Sequence, residues 1–288
     1  MGDLPFFLMI LLLGFGLVSG FLAGLLGVGG GLMLVPALVF VLGHQGVSGD
    51  LAIKMAVAAS MATIVLTSLS SVWSHHRRGA IRWDLVRRIA PGIIAGGMLA
   101  GAGAFSILKG QTLGLVFAGF VGFSSYRLFR AKRPSNSQPV PQGVVELAAA
   151  GGAIGFISAL VGAGGGFLSV PYMSRRGVPL HAAVATSAAL GLPIALASVT
   201  GYIASGWSLP QALPGSWGYF YLPAIGLIAA GSITTAPWGA KVAHGLDVTR
   251  LRRIFSLMLA FLAVYMLQKS LLHCLLYTSD AADEEDSV

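Results

Sequence analysis

Two stretches of the chain set consecutive glycines inside apolar sequence: GLLGVGGGLMLVP, Gly24 to Pro36, and ALVGAGGGFLSVP, Ala159 to Pro171. The triplets Gly29-Gly30-Gly31 and Gly164-Gly165-Gly166 have no Cβ, so the backbone can unwind there and take φ > 0 without steric cost. In lipid an unpaired backbone group costs several kcal/mol, so such a break survives only where protein or a water-filled cavity surrounds it. An apolar segment restarts after each triplet, and its first N–H groups have no acceptor within their own helix. Two helix N-termini would then face the middle of a membrane, where the dipole and the N–H groups suit an anion. The candidate binding residues are Gly27, Gly29, Gly30 and Gly31 with Gly162, Gly164, Gly165 and Gly166. Ser60 and Thr63, and Thr186 and Ser187 in the second half, add hydroxyls within apolar runs. These either donate to the same anion or form interhelical and i−4 backbone bonds. Lys54 and His181 precede those two runs, where each could be an entrance charge or a snorkelling anchor.

Other glycines read differently. Gly16, Gly20 and Gly24, and likewise Gly92 and Gly96, have the small-xxx-small spacing by which membrane helices approach closely. A dinucleotide fingerprint starting at Gly27 would require glycine where Leu32 stands, and no βαβ unit surrounds it.

What must hold these breaks is a set of long apolar helices. With 288 residues, 56% hydrophobic and only 10% charged, the chain cannot cover a water-soluble surface. Apolar segments fall at about 4–27, 32–42, 51–73, 86–108, 112–130, 144–163, 166–173, 182–204, 216–246 and 251–272. The first has Asp3 instead of a basic leader and reads as a retained span rather than a signal peptide. The single cysteine, Cys274, excludes an internal disulfide, and the six histidines have no acidic neighbours with which to hold a metal. No cofactor is expected. The net charge of +8 sits in short loops between apolar runs, which points to membrane orientation and not to nucleic acid.

A linker, AKRPSNSQPVPQG at 131–143, divides the chain near its middle. Gly20 to Pro36 aligns without gaps to Gly155 to Pro171, with 9 identities in 17 positions. The division is therefore a first membrane repeat at 1–130, a cytoplasmic linker at 131–143, a second repeat at 144–272 and an acidic tail at 273–288. The loop after the third run carries His75, His76, Arg77, Arg78, Arg82, Arg87 and Arg88, whereas its counterpart Ser205 to Ser216 has no charge. The next pair reverses this, with Lys109 against Lys241, Arg250, Arg252 and Arg253. Because Lys and Arg collect on the cytoplasmic side, corresponding loops lie on opposite sides and the repeats are inverted. Inversion requires an odd number of crossings per copy, which follows if 4–42 and 144–173 each enter and return as bent hairpins. The fold class is an all-α polytopic membrane protein with two inverted repeats, each holding a glycine-broken hairpin and about three to four transmembrane helices.

GFLAGLLGVGGGLMLVPAL and GFISALVGAGGGFLSVPYM resemble the paired signatures of the sulfite exporter TauE/SafE family of multi-helix anion transporters. HHRRGAIRWDLVRRIAPG resembles that family's basic loop between the second and third helices, and TTAPWGAKVAHGLDVTRLRRIF its closing segment. The likeness covers about residues 5–270, while the tail HCLLYTSDAADEEDSV departs from it and reads as foreign sequence. The resemblance implies transport of sulfite or small organosulfur or carboxylate anions by an inner-membrane, multi-pass secondary transporter. Its partners would be that anion, the bilayer, and a coupling proton or sodium ion; oligomeric state stays open. The alternatives are a passive anion channel and a non-transporting membrane scaffold. An enzyme is not expected, since the spans hold no carboxylate pair, no nucleophile with a base and no metal set.

Overall fold

The computed structural model describes residues 5–26, 30–130, 143–242 and 256–271. The linker, the acidic tail, and Gly27 and Gly29 of the first break lie outside them. The described residues are overwhelmingly helical: α1 (Phe6–Leu26), α2 (Gly31–His44), α3 (Gly49–His76), α4 (Trp83–Met98), α5 (Phe105–Ile107), α6 (Gly110–Arg130), α7 (Val144–Val161), α8 (Gly166–Arg175), α9 (Leu180–Gly206), α10 (Leu222–Val242) and α11 (Ser256–Leu271). A π-helical turn, Leu99–Ala104, joins α4 to α5, so Trp83–Ile107 runs as one 25-residue span. Five helical stretches are long and apolar enough to cross a membrane: α1, α3, this composite span, α7 and α9. The chain is an all-α polytopic membrane protein.

Burial orders these helices. The most apolar windows of α3 and α9 are each 67% buried, against 33% for α1. A helix hydrophobic on all sides belongs in the interior of a bundle, and α3 and α9 form that central pair. Around them α1 packs on α10, and α7 packs on α4. Both outer pairs close through glycine. A Cβ on Gly16, Gly20 or Gly24 would overlap the backbone of Ile228, Ser232 or Ala236 respectively, so α1 and α10 run in the same direction at van der Waals contact. Likewise Gly151 meets Ile89 and Gly155 meets Ile93, so α7 runs alongside α4. The small-xxx-small glycines read from the sequence are these close approaches.

Each broken hairpin begins and ends at one face of the bundle. Where α2 ends, Gln45 donates to the Tyr221 hydroxyl at 3.3 Å, near the start of α10, beside which α1 begins. Where α8 ends, Arg176 pairs with Glu146 in the first turn of α7. Each of these helices contains a proline, Pro36 or Pro171, within two turns of its start. The missing N–H adds to the backbone irregularity begun by the glycines.

One segment departs from the expected pattern. The run read at 216–246 is not a single span: Ser216–Trp217 and Phe220–Tyr221 pair as a small antiparallel hairpin, and α10 starts only at Leu222. Gly215 and Gly218 take φ of 83° and 54° around it, and Pro223 stands in the first turn of α10, where its lacking N–H is harmless. Turn glycines and an early proline outweighed the continuous apolar composition.

Candidate functional site

The glycine triplets are left-handed helix starts. Gly30 has φ 66° and ψ −11° immediately before α2, and Gly165 has φ 74° and ψ −7° immediately before α8. Gly162, at φ 72°, ends α7 in the same region of backbone space. Intrahelical bonding resumes with Met33 N–H to Gly30 O at 3.2 Å and Leu168 N–H to Gly165 O at 3.0 Å. Gly30 is also closely packed, since a Cβ there would stand 2.6 Å from the Ser19 carbonyl oxygen.

Both breaks meet the central pair near its middle. Ser60, the twelfth of 28 residues in α3, donates its hydroxyl to Gly162 O at 2.9 Å, with Gly31 O at 3.4 Å. One fully buried side chain thus touches the end of α7 and the start of α2. At α9, Ile194 lies midway along the helix and approaches Gly165. The starts of α2 and α8 therefore sit at mid-depth in the bundle, with their dipoles' positive ends inward. Replacing Ser60 with alanine should leave two buried carbonyls without this donor, at a cost of about 1–3 kcal/mol. A thermal unfolding midpoint unchanged from the parent would show that the bridge contributes nothing.

Beside this junction lies a small cleft lined by Ala23 of α1, Thr67, Ser68 and Ser71 of α3, Gly164 of the second break, and Ser187, Ala188 and Gly191 of α9. It has room for about one water molecule. Thr67 uses its hydroxyl on Thr63 O at 3.0 Å. Ser187 receives a hydrogen bond from Ser169 at 2.7 Å. The Ser71 hydroxyl is 3% exposed and has no hydrogen-bond partner, an unusual condition for a buried polar group.

The sequence candidates are thus distributed. Gly30, Gly31, Gly162, Gly164, Gly165 and Gly166 form the breaks, with Ser60 between them and Ser187 and Gly164 on the cleft. Thr63 turns its hydroxyl back to Ala59 O at 2.9 Å. Thr186 accepts the Arg82 N–H at 3.0 Å, which ties the start of α9 to the basic loop. Thr67, Ser68 and Ser71 were not singled out, although Ser60, Thr63, Thr67 and Ser71 recur at helical spacing along one face of α3. Among the described residues no three potential metal ligands cluster.

Among the described residues, ionised side chains lie toward the ends of the helices. None occurs from Leu4 to Gly49, Met55 to Ser74, Ile89 to Leu108, Leu147 to Ser174 or Ala182 to Ala240. Lys54, one turn into α3, places its ammonium 5.8 Å from the Phe105 ring centre and 5.9 Å from that of Tyr219. That cluster lies at the opposite end of α3 from Ser71.

A family model described as "Sulfite exporter TauE/SafE" matches residues 12–266. A "Probable membrane transporter protein" of Haemophilus influenzae is 34% identical over 266 residues, covering 92% of this chain and 99% of the relative. A protein of the same description from Methanocaldococcus jannaschii is 24% identical over 260 residues, covering 90% of this chain and 96% of that one. No solved structure matches the chain. A family match across nearly all of the helical bundle, together with a relative aligned along almost its whole length, establishes that the chain belongs to the sulfite exporter TauE/SafE family of membrane transporters, and it is not an enzyme.

Proposed function

We propose that this transporter is a secondary exporter in the cell's inner membrane, moving sulfite or a small organosulfur or carboxylate anion through a site at the two glycine breaks. The observation that carries the reading is the meeting at Ser60, near the middle of the central helix, of the start of α2 after left-handed Gly30 and the end of α7 at left-handed Gly162. The family description supports sulfite and the outward direction. Gly30, Gly31, Gly164 and Gly166 would offer backbone N–H groups, Gly165, whose N–H donates to Ala163 O at 2.8 Å, would set the turn, and Ser187 with the α3 hydroxyls would line the approach. Since the cleft has room for about one water, the anion-loaded state must part α3 from α9.

Such parting is what rocking one inverted repeat against the other would produce. The inverted reading is supported by the exchange of partners, with α1 running alongside α10 and α7 alongside α4. It is supported also by the two hairpins, which return to opposite faces. A cysteine introduced at Arg78 should then be labelled only from the cytoplasm, and one at Ser208 only from outside. Labelling of both from one side would contradict inversion.

The transport reading is tested in vesicles reconstituted with the purified chain, offered sulfite, thiosulfate, sulfoacetate and simple carboxylates. Gradient-coupled accumulation of at least one anion is expected. Conductance that never accumulates solute would make the protein a channel, and absence of flux would make it a scaffold.

A further inference from the structure

We infer that Ser71 is a substrate-binding residue, its hydroxyl donating to one oxygen of the transported oxyanion in the cleft between α3 and α9. This rests on the anion-transport reading above and deepens it by naming a donor. A serine or threonine inside a helix always has an acceptor within reach, the carbonyl one turn back. Thr63 and Thr67 use it on α3, and Ser198 uses it on α9, donating to Ile194 O at 2.7 Å. Ser198 is the position that corresponds to Ser71 in the second half: Ala56-Val57-Ala58 and Ser60 match Ala183-Val184-Ala185 and Ser187, and the same register matches Ser71 to Ser198. Ser71 leaves this bond unmade. Its hydroxyl lines the cleft, buried and without a hydrogen-bond partner.

A buried hydroxyl that makes no hydrogen bond lowers stability, and an oxyanion oxygen is a strong acceptor for it. The cleft has the dimensions for such an atom, since room for about one water molecule is room for one sulfite, sulfonate or carboxylate oxygen. Gly191 of α9 keeps this space open. A Cβ there would stand 3.1 Å from Ser68 Oγ and 3.6 Å from Gly164 O, filling the cleft between α3 and the second break. Of the other hydroxyls on the cleft, Thr67 donates to Thr63 O and Ser187 is bonded to Ser169. Ser71 has its proton to give.

The test combines uptake by the full chain in vesicles, with sulfite, thiosulfate, sulfoacetate and acetate as probes, and thermal unfolding in detergent. Ser71→Ala should raise the half-saturating concentration of the carried anion at least about tenfold, the effect of losing one hydrogen bond to a charged group. The same variant should melt at or above the parent's midpoint, because the hydroxyl it removes has no partner. Ser198→Ala should do the reverse, melting lower while keeping the parent's half-saturation, because its hydroxyl is already bonded within the helix. Gly191→Ala asks only a small shift of the Ser68 hydroxyl, so it should fold, and by filling the cleft it should weaken the anion by at least the same factor. Unchanged half-saturation in Ser71→Ala or Gly191→Ala, or an equal rise in Ser198→Ala, would overturn the subsite and leave transport standing. So would a Ser71→Ala protein that melts below the parent, the mark of a structural hydroxyl. Parent vesicles that carry none of the four probes would overturn the transport reading and the subsite together.

Discussion

Gly165→Val is expected to abolish anion flux while the helical bundle remains assembled. The native φ of 74° is one that L side chains rarely adopt, and a β-branched residue resists it most. The left-handed conformation alone costs a non-glycine residue about 1–2 kcal/mol. Relief of that strain would turn the N–H groups at the start of α8 away from the anion, and misplacement of such groups by about an ångström reduces function on the order of a hundredfold. Transport should fall by that factor or more. Steric damage at this position is limited, because the atom closest to a new Cβ is Ile194 Cδ1, the end of a flexible side chain. Gly165→Ala should accordingly be milder. At Gly30 the nearest atom is the Ser19 backbone oxygen, 2.6 Å away, so even alanine must displace α1. Equal flux loss and equal destabilisation for alanine at both positions would contradict this distinction.

The second large effect concerns packing. Gly92→Val should destabilise the protein by about 3 kcal/mol or more, since overpacking costs 1–3 kcal/mol where atoms can shift and more where they cannot. A Cβ at Gly92 would overlap the Ala148 carbonyl and stand 2.9 Å from the Gly152 nitrogen, so α4 and α7 must separate along their length. Gly24→Val should do the same between α1 and α10, where the obstacle is Ala236. Nothing lies within 4 Å of a Cβ at Gly14, so Gly14→Ala serves as the control and should change stability by less than about 1 kcal/mol. Thermal unfolding in detergent measures all three. In this account Gly92→Val loses transport because it loses the fold, whereas Gly165→Val loses transport first. A Gly92→Val protein as stable as Gly14→Ala would refute the close approach of α4 and α7.

The breaks were legible in the sequence because three consecutive glycines in an apolar run have few structural uses. Gly30 and Gly165 indeed hold the positive φ that only glycine adopts cheaply. The packing glycines were legible from their spacing, since Gly16, Gly20 and Gly24 return to one side of α1 every four residues. The cleft was much less so. Ser60, Thr63, Thr67, Ser68 and Ser71 are alike in composition, and what separates them is which partner each face of α3 meets. A serine or threonine in a membrane helix can always bond to the carbonyl one turn back, as Thr63 and Thr67 do. Ser60 reaches across to Gly162 instead, and Ser71 finds no partner. That difference depends on the register of α3 against α7 and α9, which arises only when the two halves of the chain pack together. The Thr186 bond to Arg82 has the same origin, because it joins residues 104 positions apart. The hairpin at 216–221 was hidden by its apolar composition, which hydropathy cannot distinguish from the start of a span.

The central claim is that the anion binds at the glycine breaks between α3 and α9, and substrate protection against unfolding tests it most directly. A ligand that binds only the folded state stabilises it by RT ln(1 + [L]/Kd), about 2.7 kcal/mol at a hundredfold excess over Kd. The anion carried fastest in the vesicle assay should raise the parent's unfolding midpoint in proportion to that expression. Gly165→Val, folded and with its own midpoint in the absence of anion, should show no rise at the same concentrations. A folded Gly165→Val protein stabilised by the anion as strongly as the parent would place the binding site elsewhere in the molecule.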